Sequence, residues 1–560
     1  VKAAVFAAGV RERLLSLEGL FLLILLVTII LRFYFLDLKL YHHDEAIHAW
    51  FSYKLLTEGA YIYDPMYHGP LRYYVTAGMF ALLGDSDLVG RLVPALLGTL
   101  LVLLVYPIYK LGYLDKKQTL VAALFLAVSP NMVYFSRFLR DDPFIIFFTM
   151  VLLVALLYYF ERGQMRYALL AGTVIGLGIS TMENMPIIVL IFGAYLLYAV
   201  WARKVRLPAH WIRDLALGAL VAFGIMAAFY SSFGAHPELI TTWWLRAIEH
   251  WTSMHQMQRL GGPPYFYILL FILYELPILI LAIVGFLQFI DIPGAVSRWR
   301  EKREGHGERL ETTEGAESVD EEPPAVTAPP ARQTPGWKDR LREILSGEGE
   351  IRPIDRQKEF MRFAIFWMLL SMAVYAYIGE KVPWLILHQL LPMIFVAVYM
   401  MTTKKAVIAV AASIFLIAMT FHVAFTPADI NEPIVQVQNS EDLREVFAKI
   451  DAADKVAIAT DNYWPLPWYY RGENASKLAY YSQKVSESTI YGGDFDVVIT
   501  HDADTYPALD GYVKETYRLN YWFSYEENKD RLLEYYFLRD GKMGSRNLEI
   551  FSRVPAGAAA

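Results

Sequence analysis

The sequence predicts a mainly α-helical, polytopic membrane protein with about eleven transmembrane helices and a small α/β domain after the last of them. Three observations carry that prediction. Of the 560 residues, 56% are hydrophobic and only 19% are charged. With a mean hydropathy of +0.32, the chain is too apolar for an ordinary soluble protein. Many apolar runs also approach bilayer-spanning length. Finally, the basic residues fall in alternate loops: Arg11 and Arg13, Lys116 and Lys117, Arg162 and Arg166, Arg203 to Arg206, Arg298 to Arg303, and Lys404 and Lys405. That is the positive-inside pattern, and it predicts a cytoplasmic N-terminus and an exocytoplasmic C-terminal domain.

The expected spans lie near Leu17–Phe35, Leu88–Tyr109, Thr119–Phe135, Pro143–Phe160, Tyr167–Ser180, Met185–Trp201, Ile212–Tyr230, Tyr265–Ile290, Phe360–Tyr377, Trp384–Met401 and Ala406–Phe425. The first is read as an uncleaved anchor, since no small-residue cleavage site follows it. Leu71–Leu83 is apolar but too short to cross, and counting it would invert the charge rule for every later loop. It is therefore read as a helix at the outer interface. His236–Met257 reads the same way, with tryptophans recurring at helical spacing. Residues 291–359 are rich in charge, proline and glycine and predict a disordered cytoplasmic insert. Beyond Phe425 the composition becomes that of a soluble domain. Lys455–Thr460 and Phe495–Thr500 read as buried strands and Ser440–Ile450 as a helix. The expected organisation is thus a catalytic membrane module at 1–290, the insert at 291–359, three further spans at 360–425 and an exocytoplasmic domain at 426–560.

Several chemistries are excluded. The chain has no cysteine, which removes disulfides, thiolate metal sites and thiol catalysis. It has no P-loop, no dinucleotide fingerprint and no nucleophile elbow, so no nucleotide cofactor is expected. Asn474-Ala475-Ser476 fits an N-glycosylation acceptor, a triplet that is frequent by chance.

The residues that could carry chemistry cluster at outer helix ends. Tyr41-His42-His43-Asp44-Glu45-Ala46-Ile47-His48 follows the first span, where such a polar cluster is expensive to place. Asp44 and His48, four residues apart, share a helix face opposite Ile47, Phe51 and Leu55, and Asp44 suits a helix N-cap. Ser136-Arg137-Phe138-Leu139-Arg140-Asp141-Asp142-Pro143 falls at the same level. Its arginines and aspartates suit a phosphate and a divalent ion; Asp141 is read as closing the turn and Asp142 as functional. Asp44, His48 and Asp142 are accordingly expected around one divalent metal ion (Mg, Mn or Zn), with Glu45 and His68 nearby. His68 lies in a Pro/Gly-rich turn, and Glu183 in a hairpin too tight to leave the membrane surface. Lys381 suits a lipid phosphate or a snorkelling role. His388, one turn into the next helix, lies on an apolar face typical of a satisfied core group and is counted among the substrate-binding candidates.

These segments resemble a family. Asp44-Glu45-Ala46, Glu58-Gly59, His68-Gly69-Pro70-Leu71-Arg72-Tyr73-Tyr74, Leu83-Gly84 and Arg91-Leu92-Val93-Pro94-Ala95-Leu96 resemble the first outer loop of the GT-C membrane glycosyltransferases. The nearest groups are the dolichyl-phosphate-mannose protein mannosyltransferases and the aminoarabinose–lipid A transferases. Ser136-Arg137 with Arg140 and Asp142 resembles their second acidic motif, Thr181-Met182-Glu183-Asn184 their Thr-Lys-Glu-Asn hairpin, and Lys381-Val382-Pro383-Trp384 with Pro392 their late Lys-x-Pro segment. Met182 and His68 stand where relatives carry lysine. Within the family the chain looks most like the archaeal-type proteins described as flippase-activity-associated.

The resemblance implies an inverting transferase that moves a sugar from a polyprenyl-phosphate donor to a glycan, lipid or protein acceptor on the outer face. Asp44, Glu45 and Asp142 would be catalytic, with the second carboxylate helping a divalent cation hold the departing phosphate. His68, Arg137, Arg140, Glu183, Lys381 and His388 would bind substrate. The competing expectation is a lipid-linked glycan flippase or its accessory, which would place its ionisable groups nearer the bilayer midplane.

Overall fold

The computed structural model describes residues 15–59, 61–257, 262–291, 338 and 354–554. Of the expected polar insert, all but residues 291, 338 and 354–359 lies outside the described residues. The chain is mainly helical up to Phe425 and then forms a mixed β-sheet domain. The helices that position the site are α1 (Leu17–Phe33), α2 (His43–Glu58), α3 (Leu71–Leu83), α4 (Asp87–Lys110), α5 (Lys116–Val128), α6 (Pro130–Ser136) and α7 (Asp142–Arg162). They are followed by α8 (Met165–Ile179), α9 (Asn184–Trp201), α10 (Trp211–Tyr230) and α11 (Leu239–Met257). The membrane part closes with α12 (Phe266–Tyr274), α13 (Leu276–Ile290), α14 (Arg356–Tyr377), α15 (Leu387–Ala397) and α16 (Thr403–Phe425).

The protein is a multi-pass membrane protein. Among the described residues, six helices are long and apolar enough to cross a bilayer, or eight if each of two bent pairs is one span. The expected eleven are not reached on length. Here α1, α8 and α15 have 17, 15 and 11 residues, below the roughly 20 that a perpendicular span requires. Leu71–Leu83 is a 13-residue helix with the expected bounds.

Both bends have a sequence cause. The pair α5/α6 turns by 54° at Ser129-Pro130, and α12/α13 by 110° at Glu275-Leu276-Pro277. Proline has no N–H for the ladder and its ring clashes with the preceding turn. The freed groups are met internally. Glu275 is fully buried and accepts from Ser129 Oγ (2.6 Å), Asn131 N (3.0 Å) and Asn131 Nδ2 (2.9 Å), so one carboxylate stitches both breaks together. From α1, Arg32 donates to the α5 carbonyls of Leu126 and Ala127 at 2.8 and 3.1 Å. Elsewhere small residues permit close approach. A Cβ on Gly172 of α8 would lie 2.2 Å from the carbonyl oxygen of Gly218 in α10, so a larger residue there would force the helices apart.

The C-terminal domain is a six-stranded sheet in the order β1-β5-β6-β4-β2-β3, built from β1 (Gln438–Asn439), β2 (Val456–Ile458), β3 (Leu478–Tyr480), β4 (Val497–His501), β5 (Tyr512–Phe523) and β6 (Met543–Arg553). Strand β2 runs parallel to β3 and β4, while the β5/β6 hairpin is antiparallel. Helix α17 (Leu443–Asp451) packs its Leu443, Val446 and Ile450 into the sheet's core. The short helix α18 (Leu466–Tyr469) turns to the membrane part. There Trp468 Nε1 and the Tyr469 hydroxyl each donate to Asp87 at 2.7 Å, and Arg471 pairs with Asp85. Asn439 Nδ2 donates to the Tyr41 carbonyl at 2.7 Å, and Tyr41 N donates to the Tyr469 hydroxyl at 2.9 Å. The domain therefore clamps the chain just before α2.

Candidate active site

Helix α2 begins one turn before its polar cluster is spent. His42, not Asp44, is the N-cap: its ring accepts from Asp44 N at 3.0 Å, while Glu45 Oε2 accepts from His42 N at 3.0 Å. This is a capping box with histidine in the usual Ser/Thr place. Asp44 lies in the first turn, where the N-terminal end of the helix favours negative charge. His43, Asp44, Ile47, Trp50 and Phe51 form the half-exposed face of α2, with Asp44 the acidic member.

Glu45 points the other way. Its carboxylate accepts from Arg91 Nε (2.8 Å) and Nη2 (2.6 Å) and from Leu139 N (2.7 Å), in addition to His42 N. It is fully buried and has no oxygen left for an acceptor or a metal. Through Leu139 N it also ties α2 to the loop that carries Arg140 and Asp142.

That loop delivers the opposite charge. Arg140 donates to Asp44 Oδ2, and its Nε lies 3.6 Å from Asp142 Oδ2. The same guanidinium covers the Trp384 ring, its carbon 3.6 Å from the centroid. Burial alone would raise the Asp44 carboxyl, but Arg140 and then His42 hold it well below the usual carboxylate range. Asp142 Oδ1 accepts from His388 Nε2 at 3.2 Å, and the His388 ring stacks on Tyr375 with centroids 5.5 Å apart. Asp142 Oδ2, His388 Nδ1 and the Tyr375 hydroxyl are all buried without a hydrogen-bond partner. Orphaned polar atoms gathered this closely suit a polar ligand. The neighbouring aspartate, Asp141, is removed from this chemistry: Arg72 Nε donates to it at 2.7 Å, with both side chains fully buried.

His68 sits across the site. The Gly69 and Leu71 amides donate to Thr181 O (2.9 Å) and Ser180 O (2.8 Å), docking the loop on the α8/α9 hairpin. A Cβ on Gly69 would lie 2.3 Å from Ser180 O, so glycine is required there. His68 adopts φ 65° and ψ −164°, a region nearly reserved for glycine, and such strain persists only where the surroundings impose it. Those surroundings are Glu183, which accepts from His68 Nδ1 at 2.9 Å, and Trp251 of α11, which stacks on the ring at 5.4 Å. Burial lowers the His68 pKa, but Glu183 outweighs it and the net direction is upward.

Three expected roles need correction. The grouping of Asp44, His48 and Asp142 around one divalent ion is not formed. His48 Nδ1 lies 3.2 Å from the Tyr73 hydroxyl, whose own proton goes to Tyr67 O at 2.9 Å, and burial pushes the His48 pKa well down. The charge between the two aspartates is the Arg140 guanidinium, and no group of three metal-ligating side chains occurs among the described residues. The residues as placed therefore do not fit a metal. Arg137 and Lys381, expected at the lipid phosphate, instead cap helix C-termini. Arg137 donates to the carbonyls of Leu31, Arg32, Tyr34 and Phe35 at the end of α1. Lys381 donates to those of Tyr375, Ala376 and Ile378 at the end of α14. Lone carbonyls at a helix C-terminus attract cations as a phosphate does.

Arg72, Arg91 and Trp384 enter the sequence reading only within longer motifs and without a role, and Tyr375 only within an expected span. For the two arginines a signal existed: a charge inside an apolar helix needs a buried partner, and an acidic residue left over elsewhere supplies it.

Residues 67–273 match the family described as dolichyl-phosphate-mannose-protein mannosyltransferase. No curated protein is matched. Among solved structures, the chain is similar to ArnT from Cupriavidus metallidurans bound to undecaprenyl phosphate, with a TM-score of 0.51, 13% identity, and coverage of 94% of this chain and 97% of that one. It is also similar to the Archaeoglobus fulgidus oligosaccharyltransferase in its apo form (TM-score 0.44, 14% identity, 86% and 69% covered), a second structure of which is in complex with Zn and sulfate. A weaker similarity is to the S. cerevisiae protein O-mannosyltransferase Pmt1-Pmt2 complex bound to the sugar donor (TM-score 0.30, 21% identity, 44% and 35% covered). The chain thus shares the fold of ArnT, and its residues 67–273 are similar to the dolichyl-phosphate-mannose-protein mannosyltransferase family.

Proposed function

We propose that this protein transfers a sugar, with inversion, from a polyprenyl-phosphate donor to an acceptor hydroxyl on the exocytoplasmic face of the membrane. The observation that carries the reading is Asp44: an ionised carboxylate on a half-exposed helix face, touching an arginine that also faces Asp142. The family match and the fold support it. Eleven crossings, with α1, α8 and the Pro383–Ala397 segment counted as tilted or shortened spans, follow from the loop charges.

Without donor, Arg140 keeps Asp44 too weak a base for the reaction. A donor phosphate offers Arg140 a stronger acceptor. Its arrival draws the guanidinium from Asp44, whose basicity then rises. The acceptor oxygen attacks the anomeric carbon, its proton passes to Asp44, and the sugar–phosphate bond breaks to leave polyprenyl phosphate held by Arg140. His388 orients Asp142, and the unpartnered atoms of His388 and Tyr375 meet donor hydroxyls or phosphate oxygens. The acceptor approaches along Ile47, Trp50 and Phe51, whose apolar and aromatic surface suits a sugar or a peptide.

The test is transfer from a radiolabelled lipid-linked sugar in proteoliposomes. Asp44→Asn keeps the shape and removes the base; it abolishes transfer while donor binding persists. Wild-type product from this variant rejects the assignment. Translocation of the lipid without transfer across a panel of donors and acceptors supports the flippase reading instead.

A further inference from the structure

We propose that helix α19 (Leu532–Leu538) of the C-terminal domain lies in the membrane surface, with Leu533 and Phe537 among the lipid chains. Its sequence, Leu-Leu-Glu-Tyr-Tyr-Phe-Leu, is two-sided. Tyr535 is buried against Phe523, and its hydroxyl donates to the Asn431 carbonyl at 2.6 Å. On the opposite side Leu533 is 80% exposed, Phe537 76% and Leu538 68%. A soluble domain rarely leaves three large apolar side chains side by side in water, and such a patch marks an interaction surface.

The occupant follows from depth. Arg539 ends α19, and its Nη2 lies 4.0 Å from Met419 Sδ. Met419 lies six residues before Phe425, the last residue of α16, and at 1.5 Å per residue that is about 9 Å below the helix end. Arg539 also pairs with Glu432 at 3.1 Å, and Glu432 accepts from His422 of α16 at 2.8 Å and from the Tyr274 hydroxyl of α12 at 2.7 Å. Tyr525, seven residues before α19, touches Tyr265 at the start of α12 through their hydroxyls at 3.0 Å. The helix is thus tied to the last turns of α16 and, through Tyr525, to the start of α12. On α16 the lipid-facing stripe continues as far as Phe421, which is itself 51% exposed. In the proposed arrangement, bilayer chains that cover Phe421 also cover Leu533 and Phe537.

The surrounding charges fit an interfacial helix. Arg531 pairs with Glu534 at 2.6 Å and Lys529 with Glu526 at 2.7 Å, so the polar flank is close to neutral. Insertion then rests on apolar area rather than on anionic lipid. The contact would hold the C-terminal domain to lipid directly, in addition to its contacts with the membrane helices.

The cysteine-free chain permits a clean test. The full protein, with Leu533→Cys, Phe537→Cys or Ser488→Cys labelled by an environment-sensitive NBD probe, is reconstituted in phosphatidylcholine vesicles. Positions 533 and 537 are expected to show blue-shifted emission relative to 488, and strong quenching by phosphatidylcholine spin-labelled high on its acyl chain, unchanged by added salt. Emission at 533 and 537 like that at 488 overturns the proposal. A blue shift without spin-label quenching also overturns it, and cross-linking between copies through those cysteines would then assign the face to a second copy of the chain.

Discussion

Arg91 grips Glu45 with two parallel bonds, Nε to Oε1 at 2.8 Å and Nη2 to Oε2 at 2.6 Å, and both side chains are buried. The pair joins α4 to α2 and, through Leu139 N, to the loop carrying Arg140. Glu45 thus sets where its neighbour Asp44 stands. Removing one partner of a buried pair leaves a stranded charge and costs about 3–5 kcal/mol. Glu45→Ala is expected to lower the melting temperature of the purified protein sharply, with Glu45→Ala/Arg91→Ala less destabilised than the sum of the single variants. Asp44→Asn, at a half-exposed position, should lower the melting temperature less than Glu45→Ala does. A stable Glu45→Ala variant that lacks transfer would return Glu45 to a catalytic role.

Lys381 is expected to act on stability rather than on donor affinity, since its ammonium serves the C-terminus of α14. Lys381→Met retains the stem and drops the charge; it should cost about 1–2 kcal/mol and leave the donor KM unchanged. A KM raised several-fold at unchanged melting temperature would restore a phosphate-binding role.

The pair His68–Glu183 makes a pH-dependent contribution. The folded pKa of His68 is raised, so this contribution is complete below the unfolded value of about 6.5 and is lost as pH rises through the higher folded value. The gap in melting temperature between wild type and Glu183→Gln should therefore be widest on the acid side and narrow as pH rises. A gap that stays constant or widens with pH contradicts the pairing.

Since Arg140 supplies the positive charge between Asp44 and Asp142, chelation is expected to leave transfer unchanged. The assay is product formation after EDTA treatment, with and without added Mg, Mn or Zn. Loss on chelation, restored by one of these ions, would show that a cation displaces Arg140 in the working enzyme. Arg140→Lys, which keeps a charge but lacks the two-sided fork, should lose transfer even in saturating metal.

The sequence by itself determined the elements whose signal is local. Hydropathy and length mark the helices, down to the bounds of Leu71–Leu83. The Pro/Gly loop at His68 and the mixed domain after Phe425 also follow from composition and turn chemistry. Loop parity led to the expectation that Asp44, His48 and Asp142 meet; Arg140 stands between the two aspartates instead. Tertiary structure alone decided which charge answers which. Glu45 and Asp44 are neighbours in the chain, yet one helix step turns Glu45 inward to Arg91 and leaves Asp44 open. Asp141 and Asp142 divide the same way, Asp141 to Arg72 and Asp142 to His388. Arg137 and Lys381 were expected at a phosphate because a cation at a helix end reads alike in either role, and only the packed backbone shows that carbonyls already hold them. A buried charge takes its meaning from partners many residues away, and no local pattern in the chain records that pairing.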